Sequence, residues 1–366
     1  MTQSKKRIGV LTGGGDAPGL NAVIRAVVKT AVNVYGWSVI GILDGFEGLV
    51  GESQTRTLGV EEVRGLLPIG GTILGTVNRG HFASRSGQGR AAKDEPVYQE
   101  AIRNFQRLNL DALVVIGGEG SLRTAYDFSL MGIPLVGVPK TIDNDVVGTD
   151  LTFGFDTALD IATEAIDRLH TTAESHGRVL VVEVMGRHVG WIALQAGIAG
   201  GADVILIPEI PFHLEKAAAK IMERNRQGRR FSIIVVAEGA TYAGGKPVYL
   251  DTGALDRPRR LGGIAECVAA DITKLTGKES RAVVLGHLQR GGTPTAFDRM
   301  LASSYGSAAV RAIADGNLGQ MVSWNCSQLT LISLENCVKA VKSVPPDHYL
   351  IRVARDLAVS FAGDED

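Results

Sequence analysis

The chain has 366 residues, 45% of them hydrophobic and 21% charged, with a formal net charge of −1. That length allows two domains with well-filled cores, and the composition excludes a disordered chain. Near-neutral charge gives no general attraction to nucleic acid or an acidic membrane, so any polyanion site must be a local concentration of Arg and Lys. The polar, basic start from Met1 to Arg7 leads straight into a strand, and no apolar segment is long enough to span a bilayer. A cytoplasmic protein without membrane or nucleic-acid partners is expected. Cys267, Cys326 and Cys337 lack metal or disulfide spacing, so reduced, buried thiols are expected.

In chain order, Arg7–Thr12 reads as a strand, Gly13–Gly19 as a glycine-rich loop, Leu20–Tyr35 as an amphipathic helix and Trp37–Leu43 as a second strand. This βαβ loop lacks the Gly-Lys-Ser/Thr ending of a P-loop. Its glycine spacing differs from the dinucleotide fingerprint, although Asp44 could imitate a ribose-binding acid. A phosphate cradle, a dinucleotide turn and a merely tight crossover all fit it. Gly70–Thr72 leads on to Asn78-Arg79-Gly80, and the glycine- and charge-rich stretch Phe82–Lys93 predicts an exposed insertion.

Asp111–Ile116 predicts a third strand, followed directly by Gly117-Gly118-Glu119-Gly120-Ser121, with Ser121 placed to cap a helix over Leu122–Met131. Paired glycines let backbone approach phosphates, and a helix amino terminus favours their charge. Glu119 there suits a Mg2+ held against phosphate oxygens, or simply an acid complementing the helix dipole.

The apolar run Ile133–Val138 predicts a buried strand opening into Pro139-Lys140-Thr141-Ile142-Asp143-Asn144-Asp145 at its carboxyl end, where open α/β sheets hold ligands. In an extended loop Asp143 and Asp145 would share one side, and their like charges would raise one carboxylate's proton affinity. Asp143 is then a candidate general base, with Lys140 as electrostatic partner. A self-capping Asp-Asn turn is the alternative. A calcium loop fails, because Val147 and Gly154 stand where oxygen ligands are required.

The second half repeats the style. Helices are predicted over Thr157–Thr172, Val189–Ala199, His213–Arg226 and Ile264–Leu275, with strands at Val179–Val184, Val204–Ile207, Phe231–Ala237 and Arg281–Leu285. Alternation of this kind implies an α/β fold of two Rossmann-like open parallel-sheet domains facing an active-site cleft. Arg178, Arg187, Arg281, His287 and Arg290 are read as lying at strand carboxyl ends and converging on one anionic ligand, with Arg suited to phosphate.

Gly13–Gly19, Gly117–Ser121, Pro139–Asp145, Met185–Arg187 and Gly286–Gly292 together resemble the 6-phosphofructokinase family. The similarity runs from about Arg7 to Ala314 and includes Asp111–Gly118 and Phe297–Ser303. It implies phosphorylation of fructose 6-phosphate at its 1-hydroxyl by ATP, with Mg2+, in a homo-oligomer whose sites are shared across an interface. By that resemblance the larger domain, residues 1–155 plus about 291–343, binds the nucleotide and Mg2+-phosphate. The smaller, residues 156–290 plus about 344–366, binds the sugar phosphate. Asp143 matches the base, with Lys140, Thr141 and Asp145 beside it; Met185, Gly186, Arg187, Glu238, His287 and Arg290 match the sugar-phosphate site. Arg178 and Arg281 match residues lent to a neighbouring subunit, and Glu119 an acidic metal ligand. Gly14, Gly15, Asn78, Arg79, Gly118, Gly120 and Ser121 match the nucleotide loops.

Two positions speak to the donor. Gly120 resembles the ATP-type choice, since a side chain there would intrude on an inner phosphate, whereas Lys140 resembles the pyrophosphate-type enzymes. Steric exclusion vetoes a ligand while an extra cation only adds attraction, so ATP is expected, with pyrophosphate as the alternative. A nicotinamide-dependent dehydrogenase would use Gly13–Gly19 and Asp44 but leave the arginines and Glu119 without work. A non-catalytic sugar-phosphate sensor would need neither the base nor the metal acid.

Overall fold

The computed structural model describes residues 5–77, 80–82, 95–245, 248 and 262–364. In chain order its elements are β1 (Arg7–Gly13), α1 (Leu20–Tyr35), β2 (Ser38–Ile42), β3 (Thr55–Leu58), α2 (Pro96–Arg107), β4 (Ala112–Gly117), α3 (Glu119–Leu130), β5 (Leu135–Pro139) and α4 (Phe155–His176). There follow β6 (Val179–Val184), α5 (Trp191–Ala199), β7 (Val204–Leu206), α6 (Leu214–Arg226), β8 (Ser232–Ala237), α7 (Ile264–Thr276) and β9 (Ser280–Val284). The chain ends with α8 (Ala296–Ala314), β10 (Gln320–Asn325), β11 (Gln328–Ser333), α9 (Leu334–Cys337) and α10 (Tyr349–Asp356). Two compact units result, Met1–Thr157 with Arg290–Val341, and Ala158–Gln289 with Lys342–Asp366.

The first unit is built on a sheet of order β11-β10-β5-β4-β1-β2-β3. Its interior is parallel, but β3 and β11 run antiparallel to β2 and β10, so the expectation of purely parallel sheets is corrected at both edges. Alternation explains why both faces are covered. In β4, Ala112, Val114 and Ile116 point into a core shared with α1 and α8, while Leu113 and Val115 point into a second core lined by Tyr98, Phe105, Leu122 and Phe128. Leu20, Val23, Ile24 and Val27 of α1 recur at helical spacing and are fully buried, each contributing roughly 1.5–3 kcal/mol. Phe82 belongs to the second core at 4% exposure, so the predicted exposed insertion does not begin there; 83–93 lie outside the described residues.

The second unit carries the parallel sheet β7-β8-β6-β9. Val179, Val181, Val204, Leu206, Ile234 and Val236 face α6 and α7. Ile205 points the other way, against Gly197 of α5, where a Cβ would stand 2.6 Å from it. The thiols depart from expectation: Cys337 is buried, whereas Cys267 and Cys326 are exposed, because Cys267 falls on the solvent side of α7 and Cys326 in the β10–β11 turn. Among the described residues no helix is long and apolar enough to cross a membrane.

Candidate active site

Register puts three loops side by side in the first unit. Gly13 pairs with Gly117, and Gly117 with Pro139, so β1, β4 and β5 end in one row and release Gly14-Gly15, Gly118–Ser121 and Lys140–Asp145 together. Neighbouring strands stand about 4.8 Å apart, so these segments begin within contact of one another. The sheet grows from β1 to β2 on one side and to β4 on the other, and this reversal is the place where open α/β sheets bind ligands.

Glycine is required here by closeness. A Cβ at Gly13 would stand 2.6 Å from Ser121 Oγ, and one at Gly117 would collide with Ser121 Cβ. Ser121 therefore fills the space beneath both loops. It lies within α3, whose N-cap is Gly118 with no side-chain cap, so the predicted capping role is corrected. Gly120 is different: its φ is not positive and an added Cβ would meet nothing within 4 Å, so neither backbone nor packing asks for glycine. The helix tolerates it at a cost of about 0.5–1 kcal/mol.

Lys140 continues the ladder with its N–H on Gly117 O at 2.9 Å and turns its ammonium onto the carbonyl of Gly15. It is buried, and burial followed by the Arg290 charge lowers its pKa to about 8, against the pull of Asp145, Asp16 and Asp143. Arg290 belongs to this unit: its guanidinium lies over Gly15, 2.8 Å from where a Cβ would be, and donates to Asp16 O at 3.1 Å. Thr76 fastens the loop from the other side by donating to Gly14 O at 2.5 Å. Asn21 holds the approach to Thr76, its amide on Ile69 O and Gly70 O and its Oδ1 on the Ile73 N–H.

The acidic loop is not extended, because Asn144 adopts a left-handed conformation (φ 52°) and is held there by Asp150 O and Thr152. Asp143 and Asp145 still interact. The Thr141 hydroxyl accepts from the Asp143 N–H at 3.0 Å and bonds the Asp145 carboxylate. Burial first, and Asp145 second, push Asp143 up to about 6, with Arg290 and Lys140 opposing. Asp145 is raised as well, chiefly by burial. The expected like-charge effect is thus real but secondary to desolvation. One oxygen of each carboxylate, Oδ1, is enclosed without a hydrogen-bond partner among the described residues.

Glu119 opens α3 and accepts from Arg123 Nε at 2.9 Å and from its Nη2, the pairing expected one helical turn apart. It also lies close enough to raise Asp145. Among the described residues no three His, Cys, Asp or Glu side chains form a metal cage. Hard carboxylate oxygens, two of them unsatisfied, nevertheless fit Mg2+, which takes one or two carboxylates and completes its shell with water and substrate phosphate. Asn78 and Arg79 lie outside the described residues. Asp44 is turned against Gly75, its N–H on Leu74 O at 2.8 Å.

In the second unit Met185, Gly186 and Arg187 follow β6, Glu238 follows β8 and His287 follows β9, all at the carboxyl ends of neighbouring strands. Met185 is buried, with its N–H toward Gln289 Oε1 at 3.4 Å, while Arg187 and His287 are exposed. The expected carboxyl-end placement is corrected for two of the five cations. Arg178 precedes β6 and Arg281 is the second residue of β9, paired with Leu180, so both sit at the amino ends of their strands. The six residues of β6 separate them from Arg187 by roughly 20 Å. There the two arginines share Glu279, at 2.9 and 2.6 Å, and the bond from Arg178 lowers the Glu279 pKa. Glu279 escaped the sequence reading, as did Asp16 and Asn21. An acid two residues before Arg281 is the local signal for the first; nothing short-range marks the others.

A phosphofructokinase family profile matches residues 7–313. An ATP-dependent 6-phosphofructokinase of Chloroflexus aurantiacus is 56% identical over all of both chains. A pyrophosphate–fructose 6-phosphate 1-phosphotransferase of Amycolatopsis methanolica is 51% identical over 94% of this chain and 97% of its own. The crystal structure of Pichia pastoris phosphofructokinase in the T-state superimposes with a TM-score of 0.78 and 33% identity, covering 98% of this chain and 37% of that one. A family profile over residues 7–313 and 56% identity along the whole length lead to one conclusion: this chain is a member of the phosphofructokinase family.

Proposed function

We propose that this chain transfers the terminal phosphoryl group of ATP to the 1-hydroxyl of fructose 6-phosphate, giving fructose 1,6-bisphosphate and ADP. The observation that carries this reading is the enclosed Asp143 carboxylate, raised to about 6 and left with an unsatisfied oxygen beside a buried ammonium. Such a carboxylate is ionised at neutral pH yet basic enough to take a hydroxyl proton. As Asp143 removes that proton, the sugar oxygen bonds to the terminal phosphorus and the bond to the ADP oxygen breaks. Lys140 and Arg290 balance the negative charge, which is most of what phosphoryl transfer asks of a protein.

Glu119, with Asp145, would hold Mg2+, which neutralises charge on the donor phosphates. Thr141 holds Asp143 and Asp145 in place. The first unit is assigned the donor, through Gly14, Gly15 and Gly118–Ser121, and with it Asn78 and Arg79. The second is assigned the sugar phosphate, through Met185, Gly186, Arg187, Glu238 and His287, and Arg290 is assigned to the same substrate. Arg178 and Arg281, at the wrong strand ends to join that set, serve a neighbouring subunit's site in a cytoplasmic homo-oligomer.

Lys140 favours a second reading, in which pyrophosphate is the donor. Open space at Gly120 supports ATP, because the fold itself gives no reason for glycine there. A coupled assay with fructose 6-phosphate, run once with ATP and once with pyrophosphate at saturating Mg2+, tests the assignment. ATP should be turned over faster; the reverse would overturn it.

A further inference from the structure

In the second unit, the loop assigned to the sugar phosphate is held by neighbouring backbone where it leaves β6. The Gly239 N–H donates to Gly186 O at 3.2 Å, and a Cβ at Gly239 would collide with Arg187 O. Gly186 itself takes a left-handed φ of 135°, with the place of a Cβ only 2.6 Å from Val189 O. The other end of the loop is Gly190, the N-cap of α5, which has no side chain with which to cap the helix. A helix start leaves backbone N–H groups without helical partners, so this end has to be held from another part of the chain.

Glu209, just past β7, does this. Its Oε1 accepts from the Gly190 N–H at 3.0 Å and from the Val344 N–H at 2.9 Å. A Cβ at Gly190 would stand 2.9 Å from Oε2, so glycine lets the carboxylate come this close. Val344 belongs to the stretch Lys342–Asp366, which returns to this unit after β11. Trp191, the first residue of α5, adds a second tie to the same stretch: its indole donates to Lys342 O at 2.8 Å and meets the His348 ring edge-on at 5.0 Å. Both Trp191 and Val344 are buried. Burial raises the Glu209 pKa, and the N–H groups of Val344 and Gly190 oppose it; Oε2 is enclosed without a partner among the described residues.

We infer that Glu209 is a positioning residue for the sugar phosphate: it joins Gly190 to the Val344 segment and so fixes where Met185, Gly186 and Arg187 stand. The inference rests on the assignment of that loop to fructose 6-phosphate. Glu209 acts through the backbone of Gly190 and has no part in phosphoryl transfer itself. Its working property is reach, because one oxygen must meet two N–H groups that come from distant parts of the chain. The segment around Val344 thereby enters substrate binding without touching substrate, since it supplies the second N–H and, through Lys342 O, the anchor of Trp191.

The test compares wild type with Glu209→Gln, Glu209→Asp and Trp191→Phe, by steady-state kinetics and by calorimetric titration of fructose 6-phosphate without donor. Glu209→Asp keeps the charge but draws the oxygen back by about 1.5 Å, one carbon–carbon bond, so it cannot serve both N–H groups. It should raise KM for fructose 6-phosphate about tenfold or more, the worth of one hydrogen bond, while kcat and KM for ATP stay within about twofold. Glu209→Gln keeps the reach and should stay within about threefold of wild type in every constant. Trp191→Phe removes only the bond to Lys342 O and should raise the same KM several-fold; it carries the test should Glu209→Asp fold poorly. A role confined to stability would lower melting temperatures and leave KM unmoved. Wild-type affinity for fructose 6-phosphate in both Glu209→Asp and Trp191→Phe, or a tenfold loss in Glu209→Gln, would overturn this inference alone. Failure of wild type to bind fructose 6-phosphate would overturn the functional reading and the inference with it.

Discussion

Replacing Asp143 by Asn should make the protein inactive and more stable at once. The carboxyl is raised from 3.8 to about 6. Holding it ionised in the fold therefore costs about 2 units at roughly 1.4 kcal/mol each, or about 3 kcal/mol. Below about pH 4 the group is protonated whether the chain is folded or not, and Asn gains nothing. Between pH 4 and 6 the unfolded chain releases its proton while the folded one keeps it, so wild type loses stability as pH rises. Above about pH 6 the full difference is present, and Asn, with the same shape and no charge, escapes it. For a unit of this size, 1 kcal/mol corresponds to roughly 2–4 °C, so calorimetry at pH 8 should find a melting temperature higher by up to roughly 6–12 °C. The shift should vanish near pH 4. The same variant should lose about 10²–10⁴-fold in kcat, the usual contribution of a general base, with sugar phosphate still bound. A shift of equal size at both pH values, or an unchanged kcat, would refute the account of Asp143.

The pH profile of kcat/KM should be bell-shaped, falling below about 6 as Asp143 takes a proton and above about 8 as Lys140 loses one; Lys140→Gln should remove the alkaline limb alone, and a retained limb would clear Lys140 of that role. Glu119→Gln should weaken Mg2+ binding to the ATP complex in calorimetry and leave sugar-phosphate affinity nearly unchanged; an identical Mg2+ titration would assign Glu119 to its bond with Arg123 and the helix dipole instead. Gly120→Asp should abolish ATP use, whereas Gly120→Ala, which meets no neighbour, should fold normally; equal ATP turnover in the Asp variant would remove Gly120 from the donor site.

Much of this protein can be read along the chain because its sheets are buried on both faces. Apolar runs such as Leu135–Val138 and Val179–Val184 announce strands, and the glycine clusters that follow them announce loops where backbone must come close. The amino-end position of Arg178 is also written in chain order, ahead of its strand, and only grouping every arginine near a strand with the carboxyl-end loops hides it. The edge strands β3 and β11 are not legible: Thr55–Leu58 and Gln328–Ser333 lie mostly at the surface, Leu329 and Leu331 included, so their pairing depends on the neighbour they meet. Which charges share a site was decided by tertiary structure. Register alone brings Gly13, Gly117 and Pro139 into one row, and the return of the chain at Arg290 lays a guanidinium over Gly15. The raised Asp143 and lowered Lys140 arise mainly from burial, a property of the atoms packed around them from distant parts of the chain, to which local sequence is blind.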